Sequence, residues 1–261
     1  MSDRPFWRRH VHRLLKHGGF IAAAFVGCFA CRALIPAALL KSANEVGGNF
    51  LQTFGGMYGI IVAFAMFVVW QQHNDTQIAV EKEAVSLGEL YRVLTWFNGW
   101  GESKQVRELL ERYAVSVPDQ YLKPGSAPVG DEQRLLRQAS RSFLGHAPAN
   151  ATEERLYSLA VDLFHELNEA REHRVTVAAL RLPEALRWFL YLGAAFCVGI
   201  VWVLFVESWE VQALFTAGMT WVVVAAVSIV LDLDDPFSGD FNVNWSRFRQ
   251  TAEQMRECVT S

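Results

Sequence analysis

Lysine and arginine are missing altogether between Trp188 and Trp245. With a formal net charge of −3, the chain has no global basic field to attract nucleic acid. No zinc-finger spacing or RNA-binding aromatic motif is present. Cysteine is scarce: Cys28, Cys31, Cys197 and Cys258 are the four in 261 residues, and the first three lie in apolar runs. No disulfide framework follows. Cys28-x-x-Cys31 lacks the strand–helix unit of a redox motif, and a hydrocarbon setting disfavours a thiolate. The phosphate loop, the Gly-x-Ser-x-Gly elbow and the dinucleotide fingerprint are all absent. "HELNEAREH", from His165, puts Glu169 where a zinc protease needs histidine. His165, Glu169 and His173 still share a helix face; a metal site is the sharper reading and a solvated charged face the ordinary one. His73 and Asp75 alone do not make a catalytic pair. No cofactor and no enzyme activity is expected.

What the chain has in excess is apolar residues, 52% of the total, with nine tryptophans and eighteen phenylalanines. A bilayer core takes about 20 apolar residues in a helix. Phe20–Leu40, Phe50–Trp70, Trp188–Val206 and Val211–Leu231 meet or approach that length, the third able to start at Pro183. Backbone groups in lipid must be paired internally, so all four are expected to be helices. Arg4, Arg8, Arg9, Arg13 and Lys16 put the N-terminus in the cytoplasm, and Arg181 and Arg187 put the start of the third span there too. Lys41–Asn49 and Glu207–Glu210 then read as short outer loops. A cleaved signal peptide is the alternative for the start, but its apolar core is long for one.

Gln71 to Arg181 reads as a helical cytosolic insert. Val80, Ala84, Leu87, Leu90, Leu94 and Phe97 recur at helical spacing and continue the second span without a break. "NGWGES" stops that helix. Val106, Leu109, Leu110, Tyr113 and Val117 begin another, and "VPDQYLKPGSAPVG" reads as a loop. A short helix is expected near Glu132–Phe143. A longer one is expected to be capped by Thr152 and buried through Leu156, Leu159, Leu163, Leu167 and Ala170. Trp245, Phe248, Ala252, Met255 and Val259 mark a final amphipathic helix, for packing on its own cytosolic helices or for a neighbour or membrane surface.

Three features invite a functional reading. Arg32 lies inside the first span, where a charge costs about 2.5–3.5 kcal/mol on insertion scales. It either meets an anion or partner carboxylate in the membrane, or snorkels outward or pairs with Glu45, Glu207 or Glu210. The second span carries Gly55, Gly59 and Ala63 at a spacing that permits close helix packing. Met57, Ile60, Phe64 and Phe67 form a bulky stripe on it, suited to lipid or a neighbour; in an oligomeric pore they would make an apolar constriction. Finally, "LDLDDPFSGDFNV" places Asp232, Asp234, Asp235 and Asp240 directly after the fourth span. Counted from Asp232, an EF-hand would need Gly and Glu where Phe237 and Val243 stand. The cluster is a cation site, a solvated helix exit whose charges can pair with Arg187 or Arg247, or a structural turn in which Asp234 accepts hydrogen bonds from the turn or pairs with a basic residue.

"YGIIVAFAMFVVWQQHNDTQIAVEKEAVSLGELYR", "RLPEALRWFLYLG" and "LDLDDPFSGDFNV" together resemble a bacterial family of bestrophin-like membrane proteins, mostly known as a domain of unknown function, from about Phe50 to Met255. Tyr58, Trp70, Asn74, Glu83, Ala84, Leu87 and Leu90 match in the first motif, and Leu233, Asp234, Pro236, Phe237, Ser238 and Gly239 in the last. The family is distantly similar to bestrophins, pentameric anion channels with four spans, cytosolic termini, an apolar neck on the second helix, and a calcium clasp at an acidic segment after the fourth. The resemblance implies an all-α inner-membrane protein, bestrophin-like, with four transmembrane helices and a helical cytosolic domain between the second and third. The parts would be residues 1–19 (basic N-terminus), 20–70 (first helix pair), 71–182 (cytosolic domain), 183–231 (second pair) and 232–261 (acidic turn and C-terminal helix). The expected function is a homo-oligomeric ion channel in a lipid bilayer, passing small ions; the alternative is a non-conducting scaffold or sensor whose cytosolic helices bind partner proteins.

Overall fold

The computed structural model describes residues 6–97, 101–122, 131–238 and 241–260, with side chains for 18–97, 103–121, 131–238 and 241–257. Among the described residues eight helices follow in order: α1 (Phe6–Leu34), α2 (Ala37–Thr95), α3 (Gly101–Leu122), α4 (Asp131–Leu144), α5 (Ala151–Ala179), α6 (Glu184–Val203), α7 (Trp209–Asp234) and α8 (Ser246–Thr260). No strand occurs among the described residues. The chain packs as two compact units: Met1–Gln71 with Arg181–Asp240, and Gln72–Leu180 with Phe241–Ser261.

Among the described residues, three helical stretches are long and apolar enough to cross a membrane. They lie in Ala37–Thr95, Ala151–Val203 and Trp209–Asp234, and Gly18–Leu34 is a shorter apolar helix. Between 22 and 28% of each apolar window is buried inside the chain, so most of that surface is left for lipid or a neighbouring protein.

The first unit is built on glycines and one tyrosine. Tyr58, Val62, Ala65 and Val69 of α2 pack with Leu190 and Cys197 of α6 and with Val223, Val227 and Val230 of α7. A Cβ on Gly193 would lie inside the Tyr58 ring, so only glycine lets α6 come this close. The Tyr58 hydroxyl donates to the Leu190 carbonyl at 2.8 Å, which satisfies its one polar group in an apolar core. Gly27 of α1 likewise seats the Trp202 indole of α6.

Helix ends depart from expectation at several places. The first span breaks at Pro36, so Ala37–Leu40 belongs to α2. Proline biases Ile35 away from the helix, while the Pro36 carbonyl accepts from the Leu39 and Leu40 amides to start the next one. The expected loop Lys41–Asn49 is helical and forms the first turns of α2. Its polar side chains hold the α6–α7 connection: Asn44 exchanges two hydrogen bonds with Phe205, at 2.8 and 2.7 Å, and Lys41 pairs with Glu207 at 2.9 Å. Pro118 does not end α3, which runs through it to Leu122; its ring is buried near the C-terminal end, where it costs one backbone hydrogen bond. The Lys123–Gly130 part of that expected loop lies outside the described residues.

In the second unit, α2 buries Val80, Ala84, Leu87, Leu90 and Leu94. Val106, Leu110 and Tyr113 of α3, Leu136 and Phe143 of α4, Phe164 and Leu167 of α5, and Phe248 and Met255 of α8 are buried in the same unit. The cap of α5 is Asn150 rather than Thr152: its side chain accepts from the Thr152 and Glu153 amides at 3.1 and 2.9 Å. Its buried face is also turned from the expected one. Leu159 is exposed, while Ala160, Phe164, Leu167, Ala170, Arg171, Arg174 and Ala178 are buried. The last helix packs within its own unit, with Thr251 donating to the Ala84 carbonyl at 3.2 Å and Tyr91 to that of Met255 at 3.0 Å. The side chain of Val259 lies outside the described residues.

Candidate ion path and acidic turn

The middle of α2 has two opposite faces. One is the buried Tyr58, Val62, Ala65, Val69 row. The other carries Met57, Ile60, Phe64 and Phe67, all between 57 and 72% exposed within the chain. Steps of three, four and three residues keep them on one side of the helix. Large apolar side chains so exposed on a rigid helix mark a surface meant for something other than water. The small residues flank the same open side. A Cβ on Gly59 would meet nothing within 4 Å, one on Gly55 only a side chain of its own helix, and Ala63 is exposed. Within the chain these three seat no helix; that service falls to Gly27 and Gly193.

The acidic turn closes on arginines. Asp234, at the end of α7, is buried. It accepts from the Leu182 amide and from Arg187 Nη2, each at 2.6 Å. Asp235 pairs with Arg181 at 3.2 Å and accepts from the Ser238 hydroxyl and the Phe237 amide. Carboxylates this close in sequence are held by positive charge and backbone donors. The turn thereby ties the end of α7 to the start of α6. Asp232 is half-buried, and Asp240, with Gly239, lies outside the described residues. Among the described residues no three His, Cys, Asp or Glu side chains converge as a metal-holding group. His165, Glu169 and His173 are all exposed.

Arg32 is not paired with Glu45, Glu207 or Glu210. Its guanidinium donates to the Val206 carbonyl and lies 4.7 Å from the Phe205 ring centroid and 5.4 Å from that of Trp209. Two of the expected partners are taken by nearer groups, Glu207 by Lys41 and Glu210 by the Ser208 hydroxyl. A cation held over aromatic faces and a carbonyl needs no carboxylate.

The second unit contains a charged cluster that helical spacing alone did not reveal. Glu83 of α2, Glu132 of α4 and Arg174 of α5 are fully buried, and Arg171 nearly so. Arg174 bonds Glu83 through Nε, Glu132 through Nη2 at 2.9 Å and the Tyr121 hydroxyl through Nη1 at 2.7 Å. Tyr113 donates to Glu83, and Arg171 reaches Glu132 at 3.4 Å. Burial alone would draw the Arg174 pKa down; Glu83 and Glu132 outweigh it and hold the guanidinium well above its ordinary value. Burial, then the adjacent Glu83 carboxylate, pushes the Tyr113 phenol well up. The cluster joins α2, α3, α4 and α5. Its signal in the sequence was a glutamate within the apolar row of α2 and arginines in step with Leu167 and Ala170.

The Bestrophin-like domain matches residues 18–248. The chain belongs to the bestrophin-like family. The match takes in Gly18–Leu34 of the first helix, ahead of the Phe50 at which the motif resemblance starts, and ends before Met255. Bestrophin homologues of Klebsiella pneumoniae share the fold: the crystal structure of one single-site variant aligns with a TM-score of 0.76 at 11% identity, covering 94% of this chain and 100% of that one. A second variant gives 0.74 at 12% identity, covering 95% and 98%. No curated protein matches the sequence.

Proposed function

We propose that this bestrophin-like protein forms a homo-oligomeric ion channel in the bacterial inner membrane, with α2 lining the path. The observation that carries this reading is the outward stripe of Met57, Ile60, Phe64 and Phe67 opposite a fully packed face. Around a closed ring of subunits it makes an apolar neck. Gly55, Gly59 and Ala63 then allow the adjacent α2 helices to approach closely. Gly18–Leu34 serves as the fourth span, both termini and residues 71–182 lie in the cytoplasm, and the aspartates act as a structural turn held by Arg181 and Arg187. Family membership supports the reading.

Purified protein in liposomes is expected to pass ions, and Phe64→Ala, which widens the neck, to raise the flux. Oligomers that pass no ions in either form would overturn conduction and favour a scaffold or sensor whose cytosolic helices bind partner proteins.

A further inference from the structure

We propose that the first unit binds one acyl chain of a bilayer phospholipid in an apolar groove between α2, α6 and α7, with the lipid phosphate at Lys41. The inference rests on the membrane placement of this unit and holds whether or not the protein conducts.

The groove measures about 770 Å³ and is walled by Leu51 of α2, Val201 of α6, and Leu214, Phe215, Gly218 and Val222 of α7. Asn44, Phe205, Val206 and Gln212 close one end. Their polar groups are already engaged within the chain. Asn44 exchanges both amide bonds with Phe205. Gln212 accepts from the Val206 amide at 3.2 Å and donates to the Val201 carbonyl at 2.8 Å. The Val206 carbonyl is taken by Arg32. A ligand that needs hydrogen bonds would lose its water and gain little here; a hydrocarbon chain loses nothing. Leu214, Phe215 and Val222 are each more than half exposed, so the groove opens sideways to whatever surrounds the helices. In a membrane that is acyl chain.

The polar end supplies the matching charge. Lys41 Nζ lies 5.2 Å from the centroid of the Phe205 ring, and Arg32 sits over the same ring. The partner of Lys41 is Glu207, and both side chains are more than half exposed. Such a solvated pair is worth little and leaves the ammonium able to share a phosphate. A tail in the groove and a phosphate at Lys41 are the two ends of one phospholipid.

Glycine 218 provides the test, because a Cβ there meets nothing within 4 Å. Gly218→Phe therefore starts a large side chain into the groove from a Cβ that meets no atom of the chain, and Val222→Trp narrows it from the same helix. Gly199→Phe makes the same size change in open space outside the groove. Full-length protein incubated with phosphatidylglycerol is examined by native mass spectrometry, with melting temperature and oligomer mass read on the same samples. Wild type and Gly199→Phe are expected to retain the lipid; both groove variants should retain several-fold less, and Lys41→Glu should also retain less. Equal retention in folded groove variants would overturn the proposal. So would loss of the oligomer in those variants from a wild type that carries no lipid, because the groove would then be a subunit interface. Ion flux is not part of the readout, so failure of conduction leaves this inference standing.

Discussion

In the first unit the charged Arg32 lies over aromatic rings and a backbone carbonyl, and large apolar side chains such as Ile60 and Phe64 point outward. In the second, Glu83, Glu132 and Arg174 are wholly buried, while Val80, Ala84, Leu87, Leu90 and Leu94 of α2 line the core. One helix, α2, belongs to both units and changes its pattern between them. A helix surrounded by hydrocarbon can leave large apolar side chains facing outward; here α2 packs through Tyr58, Val62, Ala65 and Val69, and the close approach comes from Gly193 on its neighbour. A helix in water must bury its apolar stripe, and any charge caught in that stripe must be paired.

The buried cluster should give the largest effect. Arg174→Met leaves Glu83 and Glu132 without their shared guanidinium, and breaking a buried pair in this way costs about 3–5 kcal/mol. The melting temperature in detergent should drop steeply, and Glu83→Gln added to Arg174→Met should recover part of it. An unchanged melting temperature for Arg174→Met would remove the cluster from the account of this unit's stability.

Next come the two glycine environments. Gly193→Leu forces a side chain into the Tyr58 ring, and overpacking of this kind costs about 1–3 kcal/mol. Gly59→Leu meets open space within the chain and should leave protomer stability nearly unchanged. If α2 helices of neighbouring subunits pack through Gly59, the same substitution should loosen the oligomer, read by light scattering. A stable, fully assembled Gly59→Leu protein would remove that contact from the proposed neck.

Asp234→Ala should act at a similar or smaller scale. It deprives the Leu182 amide and Arg187 of their acceptor, and a buried donor left unsatisfied costs about 1–3 kcal/mol. Calcium should hardly move the melting temperature, because arginines already neutralise the turn. A large calcium-dependent rise that Asp234→Ala abolishes would show a metal clasp instead.

Much of the helix order was legible because apolar runs and three-and-four spacing are direct records of burial. The α6 and α7 helices fall within a few residues of their expected spans, and α4 extends its expected range by one residue at each end. What misled was polarity taken as a loop. Lys41, Asn44 and the pair Gly47–Gly48 look like a turn, yet their side chains work from a helix, with Gly47 close against Leu204. The neck candidates were legible as a stripe, although nothing in a single chain says what that stripe faces. The partners of Glu83, Tyr113 and Arg174, were not legible, since they lie on two other helices far along the sequence.

The smallest expected effect separates a carboxylate at a helix end from the buried cluster. Glu153, in the first turn of α5, accepts from the Ala149 amide at 2.7 Å and faces the His146 ring at 3.1 Å. The backbone bond first, and His146 after it, hold its carboxyl below the ordinary value of 4.5. A carboxylate whose folded pKa lies below its unfolded one contributes stability above the unfolded value and loses it as pH falls through the folded one. The contribution of Glu153 is therefore complete at neutral pH and disappears in the acid range below 4.5. Its contacts are made at the start of one helix, so the effect is confined there: amides in the first turn of α5 should exchange faster with solvent as the carboxylate protonates, after correction for intrinsic rates. Glu153→Gln should remove most of this extra acid dependence, while Asn150→Ala, which deletes the cap itself, should cost about 0.5–2 kcal/mol at any pH. An acid-dependent loosening of α5 that persists in Glu153→Gln would place the responsible carboxylate elsewhere in the unit.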